Sequence, residues 1–204
     1  MRVLVNGAEP EAAKLIVILL HGRGADGNDI LGLSSEFEDD DICWLAPTAM
    51  NNQWYPGKIG DRRSQSEPFL TISAEQIKGL MAEFPPEKIV LGGFSQGACM
   101  TADILARYPQ ELAGAWMFSG GLIGSEEELP EVTTPYNGLP VTISGSEKDP
   151  HIPIARMRKT AEHLKEMGAD VEVFHYDVPT HQIAEEEIDL AKRCLKQIKG
   201  RLRV

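Results

Sequence analysis

Leu15-Ile16-Val17-Ile18-Leu19-Leu20 is an unbroken apolar run, rich in β-branched residues. A strand with one face in water alternates apolar and polar side chains, whereas an unbroken run belongs to a strand covered on both faces. This one segment therefore steers the chain toward a sheet flanked by helices on two sides. The run ends in His21-Gly22-Arg23-Gly24-Ala25-Asp26-Gly27, a glycine-dense loop.

The remaining sequence repeats the theme. Short strands are predicted over 2–5, 42–46 (closed by Pro47), 88–92, 113–118, 141–144 and 171–176. Helical spacing is predicted over 28–37 (with Asn28 as cap), 73–84, 96–108, 154–167 and 185–199. Ser73 and Gln76 form a capping-box pattern, which sets the start of the second helix. Residues 48–72 lack sustained periodicity and read as a long functional loop. Alternation of strands and helices predicts an α/β fold, a mostly parallel sheet of about seven strands with helices on both faces. All of it falls in a single domain spanning 1–204.

Within this frame, Gly93-Phe94-Ser95-Gln96-Gly97 lies between a buried strand and a helix. Such a strand–turn–helix is a nucleophile elbow, in which glycines are needed because side chains beside the Ser would collide with backbone. The Ser hydroxyl then stands at a helix N-terminus, where the dipole favours developing negative charge. A serine needs a base, and in α/β-hydrolases an acid and then a histidine follow it in chain order. Asp149, in Gly145-Ser146-Glu147-Lys148-Asp149, and His181, in Pro179-Thr180-His181, stand after later strands, at carboxyl ends where ligand sites gather. His181 is the expected base and Asp149 the group that orients it. Glu147 and His151 are the weaker rivals. His163 and His175 fall within a helix and a strand and read as structural.

An oxyanion hole needs two backbone donors. One is the N–H of Gln96, after the nucleophile, and the other comes from the loop at 21–23. Arg23 is the choice for the second, with Gly24 as runner-up. His21 is read as fixing this loop at the pocket edge, not as a second base. Gly22-Arg23-Gly24-Ala25-Asp26-Gly27 also matches a dinucleotide fingerprint. That reading requires an acid at the end of the second strand, where the chain has Leu45-Ala46-Pro47. Asp26, Asn28 and Asp29 are better read as helix capping than as a cation loop.

A formal net charge of −11 argues against nucleic acid and anionic membrane surfaces as partners and favours neutral or weakly charged substrates. Cys43, Cys99 and Cys194 form no CxxC pair, so neither a metal site nor redox chemistry is expected. No apolar run is long enough to cross a bilayer, and a soluble cytoplasmic protein without a stable membrane anchor is expected.

With these residues placed, the chain resembles the phospholipase/carboxylesterase family of small α/β-hydrolases, which includes bacterial carboxylesterases and acyl-protein thioesterases. The resemblance runs over about 14–198. It rests on Leu20-His21-Gly22, Pro47, Trp54-Tyr55, Gly92-Gly93-Phe94-Ser95-Gln96-Gly97, Gly145 to Asp149, and His181-Gln182-Ile183. It implies Ser95, Asp149 and His181 as triad, Arg23 and Gln96 as oxyanion donors, and Trp54, Tyr55 and His21 beside the substrate pocket. For Trp54, a packed loop aromatic is an equal reading. It further implies hydrolysis of short- to medium-chain carboxylic esters without a cofactor, a small-molecule ester as partner, and a homodimer as an open option.

The chain departs from the family's thioesterases at Arg23, where they usually have Leu, and at Thr180, where Gly is commoner before the His. No extended apolar lid is visible. These departures favour small soluble esters over palmitoylated proteins. The alternatives are an acyl-protein thioesterase or lysophospholipase, a hydrolase using Cys99 in the manner of dienelactone hydrolases, and a catalytically silent binding module on a hydrolase scaffold.

Overall fold

A computed structural model describes residues 1–202, so the last two residues of the expected domain lie outside it. Seven strands form one sheet: β1 (Arg2–Gly7), β2 (Leu15–Leu20), β3 (Ile42–Thr48), β4 (Ile89–Phe94), β5 (Gly114–Phe118), β6 (Pro140–Ser146) and β7 (Asp170–Tyr176). Their spatial order is β1-β3-β2-β4-β5-β6-β7. Only the β1–β3 pair is antiparallel; the other five are parallel.

The helices are α1 (Gly27–Leu31), α2 (Phe69–Met81), α3 (Gln96–Arg107), α4 (Ile154–Glu166) and α5 (Glu185–Arg201). Two apolar layers sandwich the sheet. On one side Ile16, Ile18 and Leu20 of β2 join a cluster with Ile77 of α2, Met100 and Ile104 of α3 and Leu164 of α4. On the other, Leu15, Val17 and Leu19 meet Ile30 of α1 and Leu195 and Ile198 of α5. Every β2 side chain is thus buried, as its unbroken apolar run requires. Burial of each such side chain is worth about 1.5–3 kcal/mol of transfer free energy.

Three local expectations are corrected. The first helix is shorter than 28–37: α1 ends at Leu31 and a 3-10 turn continues over Gly32–Glu36. Its cap is Asp26, not Asn28, because the Asp26 carboxylate accepts from the N–H of Asn28 at 2.7 Å while Asp29 accepts from the Asp26 N–H at 2.8 Å. Pro47 does not close β3, which continues to Thr48 with Pro47 opposite Val3. The register with β2 ends at Leu45, so Pro47 stands where the sheet is reduced to an edge pair and the missing N–H is tolerated.

The third correction concerns α2, which starts at Phe69, ahead of the apparent Ser73–Gln76 cap. Ser73 lies inside the helix, and its hydroxyl donates to the Trp54 carbonyl at 2.6 Å instead of capping a turn. Leu70, one heptad before Ile77, is buried and extends the apolar stripe to the helix start.

Candidate active site

The carboxyl ends of β2, β4, β6 and β7 open on one edge of the sheet, and each contributes to the same cleft. Ser95 follows β4 directly. It adopts φ 54° and ψ −116°, a left-handed conformation that is strained for a residue with a side chain. Two glycines make the turn feasible. A methyl at Gly93 would overlap the backbone of Gly97, and a methyl at Gly97 would overlap the carbonyls of Leu20 and His21. The turn is held by Ser95 N–H donating to Phe118 O (2.9 Å) and Cys99 N–H donating to Ser95 O (3.0 Å).

The Ser95 hydroxyl lies 2.8 Å from His181 Nε2, and His181 Nδ1 lies 2.7 Å from Asp149 Oδ2. Asp149 Oδ1 accepts from the N–H groups of His151 (2.8 Å) and Ile152 (2.9 Å). Burial pushes the Asp149 carboxyl up, but the bond from His181 and these two backbone donors outweigh it and hold Asp149 below the ordinary carboxylate range. Asp149 has no exposed side-chain surface, while His181 keeps 18%. An ionised carboxylate fixed on Nδ1 makes that nitrogen the donor and leaves Nε2 free to accept from the serine. Rings of Phe94 and His151 contact the imidazole, with centroids at 4.9 and 4.8 Å.

The loop carrying His181 is anchored by side chains. Glu187, fully buried in the first turn of α5, accepts from Ser144 Oγ (2.7 Å), Tyr176 OH (3.0 Å) and Ala184 N–H (2.8 Å). The Tyr176 hydroxyl also lies 3.1 Å from Gln182 O, next to His181. Burial raises the Glu187 pKa above the ordinary value. Ser146 Oγ donates to Val178 O at the other end of the loop.

On the opposite wall, Gln96 does two things. Its side chain accepts from Trp54 N–H (2.9 Å) and donates to Tyr55 O (2.7 Å), pinning the 48–68 loop. Its own N–H, like that of Arg23, has no backbone acceptor among the described residues, whereas the Gly24 N–H is taken by Asn52 O at 2.7 Å. That pairing removes Gly24, the runner-up, as an available donor. Further along, Arg63 fixes the same loop to α3 through paired bonds to the buried Asp103, 2.5 and 3.1 Å.

Two residues assigned to the pocket do not reach it. Trp54 and His21 are 1% and 0% exposed, and the cleft is lined without them. Trp54 Nε1–H donates to His21 O at 2.9 Å, and His21 Nε2 accepts from Ala49 N–H at 3.0 Å. Nδ1 therefore carries the proton and donates to Gly22 O, and burial lowers the His21 pKa, keeping the ring neutral. Both residues fix the loops from beneath. Tyr55 does line the cleft, with Arg23, Lys58, Ile59, His151 and Ile152, around about 700 Å³.

The rivals are accounted for. Glu147 pairs with Arg158 at 2.8 Å. Cys99 is buried with its thiol pushed up to about 11 by burial, so it offers no thiolate at neutral pH. The three cysteines are free and buried. No helix among the described residues is long and apolar enough to cross a membrane. Sequence reasoning missed Glu187, Tyr176, Ser73 and the Gln96 side chain. Only Glu187 left a trace: three glutamates at the start of a helix, one of them in register with the buried Leu190 and Ala191.

A strand-borne Ser elbow, with the acid and His on loops after later strands of a largely parallel sheet, defines an α/β-hydrolase. Residues 2–199 match the family described as Phospholipase/Carboxylesterase. The chain belongs to that family, and it is a hydrolase of the carboxylesterase and acyl-protein thioesterase kind. The crystal structure of a phospholipase/carboxylesterase from Dyadobacter fermentans is similar, at 33% identity and a TM-score of 0.89, covering 94% of each chain. The putative hydrolase MhqD of Bacillus subtilis is 26% identical over 89% of this chain and 92% of its own. Acyl-protein thioesterase 1 of Schizosaccharomyces pombe is 27% identical over 79% and 80%, respectively.

Proposed function

We propose that this chain is a serine carboxylesterase that cleaves short- to medium-chain carboxylic esters through an acyl-enzyme intermediate. One observation carries the reading: Ser95, His181 and Asp149 are joined by hydrogen bonds of 2.8 and 2.7 Å at the edge of an open cleft.

His181 Nε2 takes the Ser95 proton as the oxygen attacks the ester carbonyl. The carbonyl oxygen becomes an oxyanion facing the unpaired N–H groups of Gln96 and Arg23. Asp149 stabilises the imidazolium that forms. Collapse of the tetrahedral intermediate breaks the bond to the alkoxy oxygen, which leaves with the proton from His181. Water then gives a proton to His181, attacks the acyl-serine, and releases the acid as Ser95 recovers its proton. No metal or cofactor enters, and the partner is a small ester. Three buried free thiols suit a reducing cytoplasm.

Thioester hydrolysis is the second reading, favoured by the relatives named acyl-protein thioesterases. Against a long acyl chain stands the modest apolar lining, chiefly Ile59 and Ile152 with prolines. The test is hydrolysis of a graded p-nitrophenyl ester series, with one thioester added. Parent protein turns over acetate and butyrate, Ser95→Ala loses at least about 10³-fold in kcat with its circular dichroism unchanged, and a fluorophosphonate labels Ser95. Undiminished turnover by Ser95→Ala would sink the proposal.

A further inference from the structure

The cleft differs in charge from the rest of the chain. The protein carries 31 acidic and 20 Lys or Arg residues. Yet the charged side chains lining the cleft are Arg23 and Lys58, with no Asp or Glu among the lining residues. The Asp149 side chain is held against His181 and presents no surface. Asp61 accepts from the Lys58 backbone N–H at 2.8 Å and closes that turn. Among the described residues, neither Arg23 nor Lys58 joins an ion pair, although Lys14, Lys148, Arg158 and Arg193, exposed as they are, each do.

Arg23 is also held in place. Its guanidinium donates to Pro56 O (2.8 Å) and to Gly57 O, approaches Gln53 Oε1 at 3.4 Å, and lies 5.7 Å from the centre of the Tyr55 ring. All these partners are neutral, so the positive charge is fixed in position but not cancelled. A guanidinium has five N–H donors, and these contacts leave some of them without a protein partner. The residue sits one position past Gly22, where an added methyl would lie 3.5 Å from Ser95 Cβ. A fixed, uncancelled cation thus lines the same cleft as Ser95, about one side-chain length from the loop backbone that flanks the nucleophile. Its side-chain order is already paid for by the loop, which is what makes an arginine effective toward a carboxylate.

Resting on the esterase reading above, we propose that the substrate is a half-ester: a compact ester bearing a second, ionised carboxylate a few methylenes from the scissile carbonyl. Arg23 and Lys58 receive the carboxylate, and Ile59 and Ile152 line the path of the methylenes. The negative net charge does not oppose this at physiological salt, because screening over about 8 Å hides remote acids from a bound ligand more than it hides an adjacent cation. The sequence-level expectation of neutral or weakly charged substrates treats charge as a whole-chain quantity; the local lining has the opposite sign.

The test compares monoethyl glutarate with its uncharged, near-isosteric amide, ethyl glutaramate, at physiological ionic strength, by released ethanol. The parent enzyme is expected to favour the half-ester by about tenfold or more in kcat/KM. Lys58→Glu, at an exposed position, is expected to cut that ratio by about tenfold, and Arg23→Gln to cut it further. A ratio at or below one overturns the inference. So does hydrolysis of p-nitrophenyl butyrate without turnover of the half-ester, and in that case the esterase reading stands. If no ester is cleaved and fluorophosphonate leaves Ser95 unlabelled, the esterase reading itself falls.

Discussion

The two loops that meet at the Ser95–His181 hydrogen bond are built on different physics. Ser95 is placed by exclusion. Gly93 and Gly97 permit one tight path between β4 and α3, the surroundings are filled with backbone, and no side chain caps the turn. His181 is placed by attraction. Its loop crosses a partly exposed surface and is tied down by Asp149, by Tyr176 and by the buried carboxylate of Glu187. Close packing tolerates no added atom, whereas a polar network tolerates shape-preserving changes but not the loss of a partner.

The largest effect is expected where the histidine side is disturbed without altering its shape. Asp149→Asn keeps the bulk but removes the charge that holds the proton on Nδ1, so Nε2 no longer accepts from serine in most molecules. A loss of roughly 10⁴-fold in kcat with an unchanged melting temperature is expected. A loss below tenfold would mean that the ring is oriented by Phe94 and His151 alone.

Next comes the serine side. Gly97→Ala puts a methyl into the Leu20 carbonyl, which is backbone of a central strand and cannot yield. Destabilisation of about 3 kcal/mol or more is expected from the urea midpoint. A variant as stable as the parent would remove steric exclusion from the comparison.

The smaller effects belong to Glu187. Glu187→Ala strips an acceptor from Ser144, Tyr176 and Ala184, and should cost about 2–3 kcal/mol and lower kcat roughly ten- to hundredfold as His181 drifts. Glu187→Gln can accept from Ala184 and Tyr176 with its oxygen and donate to Ser144 with its nitrogen, so activity should survive. Its stability should show a pH signature. Burial raises the folded pKa of Glu187, so the stabilisation from that group is complete below the ordinary glutamate value near ~4.3 and is lost as pH rises through the folded value. Glu187→Gln cannot ionise and should gain on the parent across that window, measured by urea unfolding at stepped pH. Parallel curves would show that Glu187 does not ionise differently in the two states.

The same contrast explains what could be read from sequence. The elbow is legible because exclusion is local: five adjacent residues with glycines at fixed positions carry the whole requirement. The sheet was legible because runs such as Leu15–Leu20 report burial on both faces. Asp149 and His181 could be placed by chain order after their strands. For Glu187 the helical register with Leu190 and Ala191 marks burial but not role, because its partners Ser144 and Tyr176 lie on two different strands. For Trp54 and His21 the reading as packed, loop-fixing residues holds, and the placement beside the pocket does not. Adjacency in a motif does not say whether a ring faces the cleft or supports it from below. The start of α2 was misread because a Ser three residues before a Gln looks like a cap until the Trp54 carbonyl is seen to take its hydroxyl.

The two N–H groups assigned to the oxyanion are main-chain atoms of positions 23 and 96. Any amino acid other than proline supplies them. Selection can therefore rewrite those two side chains to suit a new ester, or a new set of loop contacts, without disarming the chemistry. Here the opportunity has been used twice: the Gln96 side chain braces the 48–68 loop, and the Arg23 side chain clamps it at Pro56 and Gly57. A lineage descending from this chain could reshape the cleft at residue 23 in a single mutational step and keep both N–H groups where they are.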